Sequence, residues 1–456
     1  MKKENIDTQR IEQRFMVPQK EAAAFLKQLE RIFLPVSYPN NINQTIYFNN
    51  DDLAVPWGIS IKARRYLDPT DCAKRIDPTE NFFCEIKKEK KAGSPNREKI
   101  KTVSSLSDFS RWAKEKVSDA IGGRSLYPHI LTQYRRRHFI LPRQNDIRVT
   151  TDSEMAYGFF TKDLLTWLGE EEGLRVEIKT SQTASTNPTC AKLFKLLKQH
   201  GAVPVISKKD QAYNLLSQYL DKFGDQLTKE LAKTEIEAKF LVECSQPYNF
   251  FLGLRNSFLK NKIPGFTLKP YPYIKAGASI NFYWTRLEKG KPVDGIKLLY
   301  KGQRFRIVTK AKTRILKDIY GLNCLMIRRE EKGERFEHSK ENLERVLAES
   351  TQKFGSLTPQ GHLLRSRLAI WPESEKTRRV FHLSLDRCSR NGNIFYQLEI
   401  EYVGRKPGYS LVESKIAQEQ IIKELSLLSH EVFQLANKKG FVLQPSQLTK
   451  LEWIRE

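Results

Sequence analysis

The sequence predicts an α+β protein of two tandem, mostly antiparallel β-barrel domains with helices packed outside. Three observations lead there. Short stretches throughout the chain alternate charged and apolar residues, the period of a β-strand. In residues 234–240 (TEIEAKF), Glu235, Glu237 and Lys239 share one face, and Ile236, Ala238 and Phe240 share the other. Such rows recur in both halves. The halves also end alike: FKLLKQHGAVPVISKK (194–209) and VFQLANKKGFVLQPSQLTK (432–450) both read helix, Gly, short apolar strand, hydroxyl residue, Lys, the mark of an internal repeat. A single charged strand face ordinarily meets solvent. Many such rows in one domain can instead line a closed sheet, because inward charges are tolerated only where the interior is wet or occupied.

The elements follow in order. Residues 11–17 form a strand, and a helix starts at Pro18, which suits a first helical position, with Phe25, Leu29 and Phe33 on its apolar stripe. A Pro/Asn-rich loop (35–43) precedes strands at 45–48, 59–66, 82–87 and 97–102. A helix over 105–120 opens with Ser and Asp, and strands follow at 131–141, 146–152 and 174–180. Helix 188–200 ends at Gly201, and helix 209–223 closes the half. The polar stretch after Phe223 is the linker, giving domains at 1–225 and 234–456 around residues 226–233. The second half reads strand 234–240, helix 247–260, strands 279–287, 296–300, 304–314 and 323–330, and helix 338–353. Strands 362–371, 379–388 and 397–402 and a long helix, 414–438, complete it.

Lys plus Arg (78) exceeds Asp plus Glu (53), a net charge of +25, which points to nucleic acid, phosphate chains or an acidic membrane surface. The six cysteines are scattered without a Cys-x-x-Cys pair, as expected for thiols in a reducing cytosol. The opening MKKENIDTQR has no apolar core of a signal peptide, and no apolar run nears 18 residues, so a cytoplasmic, soluble protein is expected. The sequence contains no phosphate-binding Gly-x-x-x-x-Gly-Lys loop, nucleophile elbow, metal-spaced histidine pair or nucleic-acid-binding signature. His138 and His382 fall on predicted strands in structural roles.

Arg and Lys rows bind phosphate chains through charge-assisted hydrogen bonds. Mg²⁺ or Mn²⁺ takes carboxylates together with phosphate oxygens. The pairs Glu235/Glu237 and Glu399/Glu401, on facing strands, are therefore a metal seat in prospect, and phosphoryl transfer needs mainly the positioning and charge neutralisation that the two residue classes supply.

These residues resemble the triphosphate tunnel metalloenzyme superfamily. The first half, about residues 10–220, resembles the polyphosphate-polymerase (VTC) domain. The matching pieces are Glu12 and Arg14, Lys62 and Arg64, Glu85 and Lys87, and Arg97, Lys99 and Lys101. They continue with Tyr134 and Arg136, Arg148 and Asp152, Glu177 and Lys179, and Ser207 and Lys208. The resemblance implies transfer of the ATP γ-phosphate onto polyphosphate. Lys62, Arg64, Lys87, Arg136, Arg148, Lys179 and Lys208 would be catalytic, Glu85 and Glu177 would hold metal, and Arg14, Arg97, Lys99, Lys101, Tyr134 and Ser207 would bind substrate. Lys62 stands where Arg is usual and Arg14 where Lys is usual. The membrane helices of the fungal complexes are missing, so export of product is not implied.

The second half, about 234–452, resembles the CYTH-like and RNA-triphosphatase branch. The resemblance implies metal at Glu235, Glu237, Asp386, Glu399 and Glu401, and substrate at Lys239, Arg304, Arg306, Lys310, Lys312, Arg328 and Lys450. Its acids favour two metals and hydrolysis. Three readings follow: a polyphosphate-making phosphotransferase whose second tunnel binds or trims the product; a triphosphatase acting on inorganic triphosphate, a nucleotide or an RNA 5′ end; and a non-catalytic polyanion-binding module. All imply ATP, another triphosphate, polyphosphate or RNA as partner; the first two add Mn²⁺ or Mg²⁺. Protein partners are unspecified.

Overall fold

The computed structural model describes residues 10–38, 41–50, 53, 55–67, 82–88, 96–103, 105–141, 144–161, 164–181, 187–221, 227–268, 274–288, 291–301, 304–337, 339–390, 393–408 and 413–455. The chain divides into two compact units, one built on Met1–Asp51 and Val55–Leu216, the other on Ser217–Glu337 and Glu344–Glu456. No described helix is long and apolar enough to cross a membrane.

The chain runs first through β1 (Arg10–Val17), α1 (Gln19–Leu29), β2 (Leu34–Val36), β3 (Ile42–Asn49), β4 (Ile59–Leu67), β5 (Phe82–Lys88) and β6 (Asn96–Val103). Then come α2 (Leu106–Ile121), β7 (Tyr127–Leu141), β8 (Gln144–Thr161), β9 (Leu164–Glu171), β10 (Leu174–Ser181), α3 (Pro188–Gln199), β11 (Val203–Pro204) and α4 (Lys208–Asp221). It continues through β12 (Thr234–Glu243), α5 (Pro247–Leu259), β13 (Phe266–Thr267), β14 (Lys275–Glu288), β15 (Lys291–Lys301), β16 (Arg304–Ile315), β17 (Leu325–Lys332) and β18 (Phe336–Glu337). The last elements are α6 (Lys340–Phe354), β19 (Leu357–Ile370), β20 (Glu373–Ser374), β21 (Arg379–Arg390), β22 (Asn393–Arg405), α7 (Ser414–Lys438), β23 (Val442–Pro445) and α8 (Lys450–Arg455).

In the second unit, eight antiparallel strands pair in the order β12-β22-β21-β19-β14-β15-β16-β17, and β17 pairs back onto β12, closing a barrel. In the first unit, β1-β10-β8-β7-β3-β4-β5-β6 repeats this order strand for strand. No pairing of β6 with β1 closes that sheet among the described residues. The predicted α+β fold of two antiparallel tunnel-type domains with outer helices is what the chain adopts.

Alternation along each strand separates a dry outer face from a charged inner one. On β10, Val176 and Ile178 join Phe25, Leu29, Leu193 and Leu197 of α1 and α3 in an apolar core, while Arg175, Glu177 and Lys179 take the other face. On β12, Ile236, Ala238 and Phe240 are fully buried, and Phe240 stacks on Phe433 of α7. Ser105 caps α2 by accepting from the Asp108 amide at 3.1 Å, and Gly122 ends that helix at φ +61°, a left-handed cap.

Three features depart from the sequence reading. β8 runs to Thr161 and forms a hairpin with β9; its MAYGFF segment lacks the period-2 alternation that marks a strand. A six-residue helix, α8, closes the chain. The stretch expected as a linker is partly structural. Thr228 and Arg405 exchange two backbone hydrogen bonds of 2.8 Å. The buried Glu230 carboxylate accepts from Arg379 at 2.7 Å and from Tyr402 at 2.8 Å, so residues 227–231 are anchored on β21 and β22.

Candidate active sites in the two barrel lumens

Both inner faces carry the same four charged side chains. In the first unit, Arg136 on β7 donates to both oxygens of Asp152 on β8, at 2.6 and 2.8 Å, and reaches Glu177 on β10 at 3.4 Å. Lys208, in the first turn of α4, lies 2.7 Å from Asp152 and 3.7 Å from Glu177. In the second unit, Arg367 on β19 donates to both oxygens of Asp386 on β21, at 2.5 and 2.6 Å, and to Glu399 on β22. Lys450, in the first turn of α8, lies 2.8 Å from Asp386 and 2.5 Å from Glu399. Asp152 and Asp386 are wholly buried. Burial pushes both aspartates upward, but the flanking cations more than offset it and hold them below the usual carboxylate range.

The two lysines are aimed by equivalent caps. Ser207 accepts from the Asp210 amide at 3.1 Å and donates to the Asp210 carboxylate at 2.8 Å. Thr449 and Glu452 form a reciprocal capping box at 2.6 and 3.2 Å. Each cap starts its helix with the lysine directed inward.

Around this shared group the registers align the rest. Phe15 pairs with Pro204 as Phe240 pairs with Pro445, so Glu12 and Arg14 occupy the places of Glu237 and Lys239. Arg14 opposes Glu177 as Lys239 opposes Glu399. Tyr47 opposes Lys62 as Tyr283 opposes Lys297. One step further the units diverge. Lys179 stands where Glu401 does, and by backbone register Arg10 stands at the Glu235 position and Arg97 at the Glu330 position.

Those three glutamates form a cluster in the second unit. Glu235, Glu330 and Glu401 each offer an oxygen within 4.8 Å of the others. Burial, and then the neighbouring Glu235, Glu330 and Glu237, push the Glu401 carboxyl up to about 7 against the opposing pull of Lys332. Three hard oxygen donors that repel one another suit a divalent cation such as Mg²⁺ or Mn²⁺. Cations of the chain surround them. Lys310 reaches both Glu235 oxygens at 2.8 Å and Glu330 at 3.1 Å, and Arg328 donates to Glu235 and forms an ion pair with Glu237.

In the first unit bases dominate this region. Lys179 lies 2.6 Å from Glu177 and 3.4 Å from Glu12, and Lys62 lies 2.9 Å from Glu85. Burial, with Arg64 and Lys87 nearby, pulls Lys62 well below the ordinary lysine range. The Tyr134 ring underlies Arg136 at 5.1 Å and Lys208 at 4.6 Å. Burial there opposes Arg64, Arg136 and Lys208, whose joint field lowers the phenol.

Residues 8–192 match the VTC domain family. That match lies in the first unit and covers its Arg136, Asp152 and Glu177 but not Lys208. No curated protein matches the chain. Among solved structures, a putative adenylyl cyclase from Hippeastrum, described as having a dominant triphosphatase activity, is 12% identical, with 48% of this chain and 95% of that one covered, at a TM-score of 0.27. The S. pombe RNA triphosphatase Pct1, in complex with the Spt5 CTD, is 13% identical over 52% and 94%, at 0.21. An inorganic triphosphatase, NE1496, is 15% identical over 39% and 77%, at 0.14.

Of the residues picked from sequence, the inner face of the first unit gathers Arg14, Lys62, Arg64, Glu85, Lys87, Tyr134, Arg136, Glu177, Lys179 and Lys208. Arg148 lies at the exposed end of its row, and Ser207 is engaged in capping. Arg97, Lys99 and Lys101 lie on β6, with side chains outside the described ones. The second lumen gathers Glu235, Glu237, Lys239, Arg306, Lys310, Arg328, Asp386, Glu399, Glu401 and Lys450. Arg304 is exposed, 3.7 Å from Glu337, and the Lys312 side chain lies outside the described ones. The sequence reading missed Lys297, Glu330, Arg365 and Arg367. Lys297 sits between apolar neighbours on a predicted strand, and Arg365 and Arg367 share one parity in LRSRL, so the parity argument reaches these three; Glu330, within the charged run RREE, carries no such signal.

Proposed function

We propose that the chain is a metal-dependent enzyme of phosphate-anhydride chemistry, with the VTC unit transferring the ATP γ-phosphate onto polyphosphate and the second barrel binding or hydrolysing triphosphate or polyphosphate. The observation that carries this reading is the repeated Arg–Asp–Lys–Glu group on two basic inner faces, with a three-carboxylate cluster found beside it, among the described residues, in the second alone.

In the VTC unit, Arg14, Lys62, Arg64, Lys87, Arg136, Lys179 and Lys208 hold a phosphate chain by charge-assisted hydrogen bonds. Asp152 fixes the Arg136 fork, while Glu177 balances Lys179 and Lys208 at the point where phosphate would arrive. In the second barrel, Glu235, Glu330 and Glu401 would hold Mg²⁺ or Mn²⁺, which supplies neutralisation of charge on phosphate oxygens when bound. Arg365, Arg367 and Lys450 orient the phosphates. The carboxylate cluster also favours a second reading, in which triphosphate hydrolysis in this barrel is the main activity.

The test is purified protein with ATP and Mn²⁺, with polyphosphate resolved on a stained gel and free phosphate assayed in parallel. Wild type, Glu177→Ala and Glu401→Gln are compared. Polymer that disappears only with Glu177→Ala supports the proposal. Free phosphate without polymer, abolished by Glu401→Gln, makes the chain a hydrolase. Neither product, with triphosphate and RNA also tried, leaves a polyanion-binding module.

A further inference from the structure

The carboxylates of the second lumen are not equally open to an incoming ion. Glu235 and Glu237 follow one another on the inner face of β12, and the Arg328 guanidinium spans them, with Nε on Glu235 and Nη2 on Glu237. Lys239 adds a second cation to Glu237 at 3.1 Å. Arg328 is 6% exposed and Glu237 2% exposed. Arg cannot release a proton, and its planar fork is held at both ends, so leaving would strand a buried charge on each side. Lys310 differs. It reaches Glu235 and Glu330 on a flexible stem, with 21% of its side chain exposed, so it can yield its place and turn to phosphate.

We propose that the second barrel seats a single divalent cation, on Glu235, Glu330 and Glu401, and that Arg328 stands as a permanent internal cation between Glu235 and Glu237, where a second ion would otherwise sit. This rests on reading the three-glutamate cluster as the metal seat. Entry of the ion displaces the Lys310 ammonium. Glu237 then serves as a positioning residue for Arg328 and Lys239 and is not a ligand, and Arg328 is engaged by carboxylates and does not reach for substrate. The acid-rich sequence, read without these contacts, favours two metals; the guanidinium reduces that to one.

The experiment counts Mn²⁺ bound per full-length chain by calorimetric titration and by electron paramagnetic resonance, with no nucleotide present. Mn²⁺ is the probe, and wild type is compared with Glu401→Gln, Glu237→Gln and Arg328→Gln. The expected result is one Mn²⁺ fewer with Glu401→Gln, no change in number with Glu237→Gln, and one more with Arg328→Gln. Loss of an ion with Glu237→Gln would overturn the proposal, as would a folded Arg328→Gln protein that gains none. If Arg328→Gln does not fold, the Glu237→Gln count decides. An unchanged count with Glu401→Gln would sink the metal seat itself, a failure distinct from that of the Arg328 assignment.

Discussion

The two units carry the same charged group at one place on their inner faces and opposite charges a step away. Arg136, Asp152, Glu177 and Lys208 match Arg367, Asp386, Glu399 and Lys450 in strand, register and contacts. A step away, Arg10, Arg97 and Lys179 in the first unit stand at the positions of Glu235, Glu330 and Glu401 in the second. The shared group is close to neutral, two cations on two anions, and can be buried in any copy of the fold. On the proposed function, the inverted positions set what enters: a base there would bind phosphate directly, and a carboxylate there would take a cation first.

The largest effect is expected where the barrels agree. Removing either central aspartate leaves a buried Arg and Lys facing each other, and breaking such a pair costs about 3–5 kcal/mol. Asp152→Ala and Asp386→Ala should each lower the thermal transition of their own unit. Equal stability in either variant would show that the shared group is not structural.

Next comes the position where the barrels differ. Glu401→Lys gives the second barrel the residue of the first, and Glu401→Gln removes only charge. Both should lower metal-dependent triphosphate hydrolysis by at least about 100-fold, since even outer partners of metal ligands cost about 10–100-fold. Unchanged hydrolysis would remove Glu401 from the metal seat.

A smaller effect is set by pH. Glu401 titrates near 7 in the folded chain, above an ordinary glutamate. Its protonated form is therefore the favoured one, and the stability it contributes at acid pH is lost as pH rises from about 4 through 7. A cation reverses that loss. Mn²⁺ affinity should rise about 20-fold between pH 5.5 and 7.5 in the wild type, from the growing carboxylate fraction, and this pH-dependent binding should be missing in Glu401→Gln, which loses the ion. A flat wild-type profile would contradict the assignment.

The smallest effect lies in the caps. Ser207→Ala and Thr449→Ala should each cost about 1 kcal/mol and loosen Lys208 or Lys450. A weaker grip on polyphosphate in the first case and on triphosphate in the second would follow in binding titrations.

Much of this was legible in the residues. Alternation exposed the charged rows of β1, β4, β10, β12 and β22, and the similar endings of the halves announced the repeat. What alternation cannot show is which rows meet. Asp152 and Asp386 become centres only because β7 and β19 bring Arg136 and Arg367 alongside, which register alone determines. The row on β16 misleads for a local reason. A register shift between Ala311 and Arg314 breaks its parity, and Arg304 lies on the same row as Lys310 but beyond the lumen. Glu330 hid at the end of a strand whose run RRE reads as surface charge. Ser207 looks like a phosphate ligand until its hydroxyl is seen bonded to Asp210.

The most direct test of the split between the barrels is anomalous diffraction from crystals of the full chain soaked in Mn²⁺. The predicted result is a peak among Glu235, Glu330 and Glu401 and none at the equivalent place beside Lys179. A peak beside Lys179, or none at the three glutamates, would contradict it.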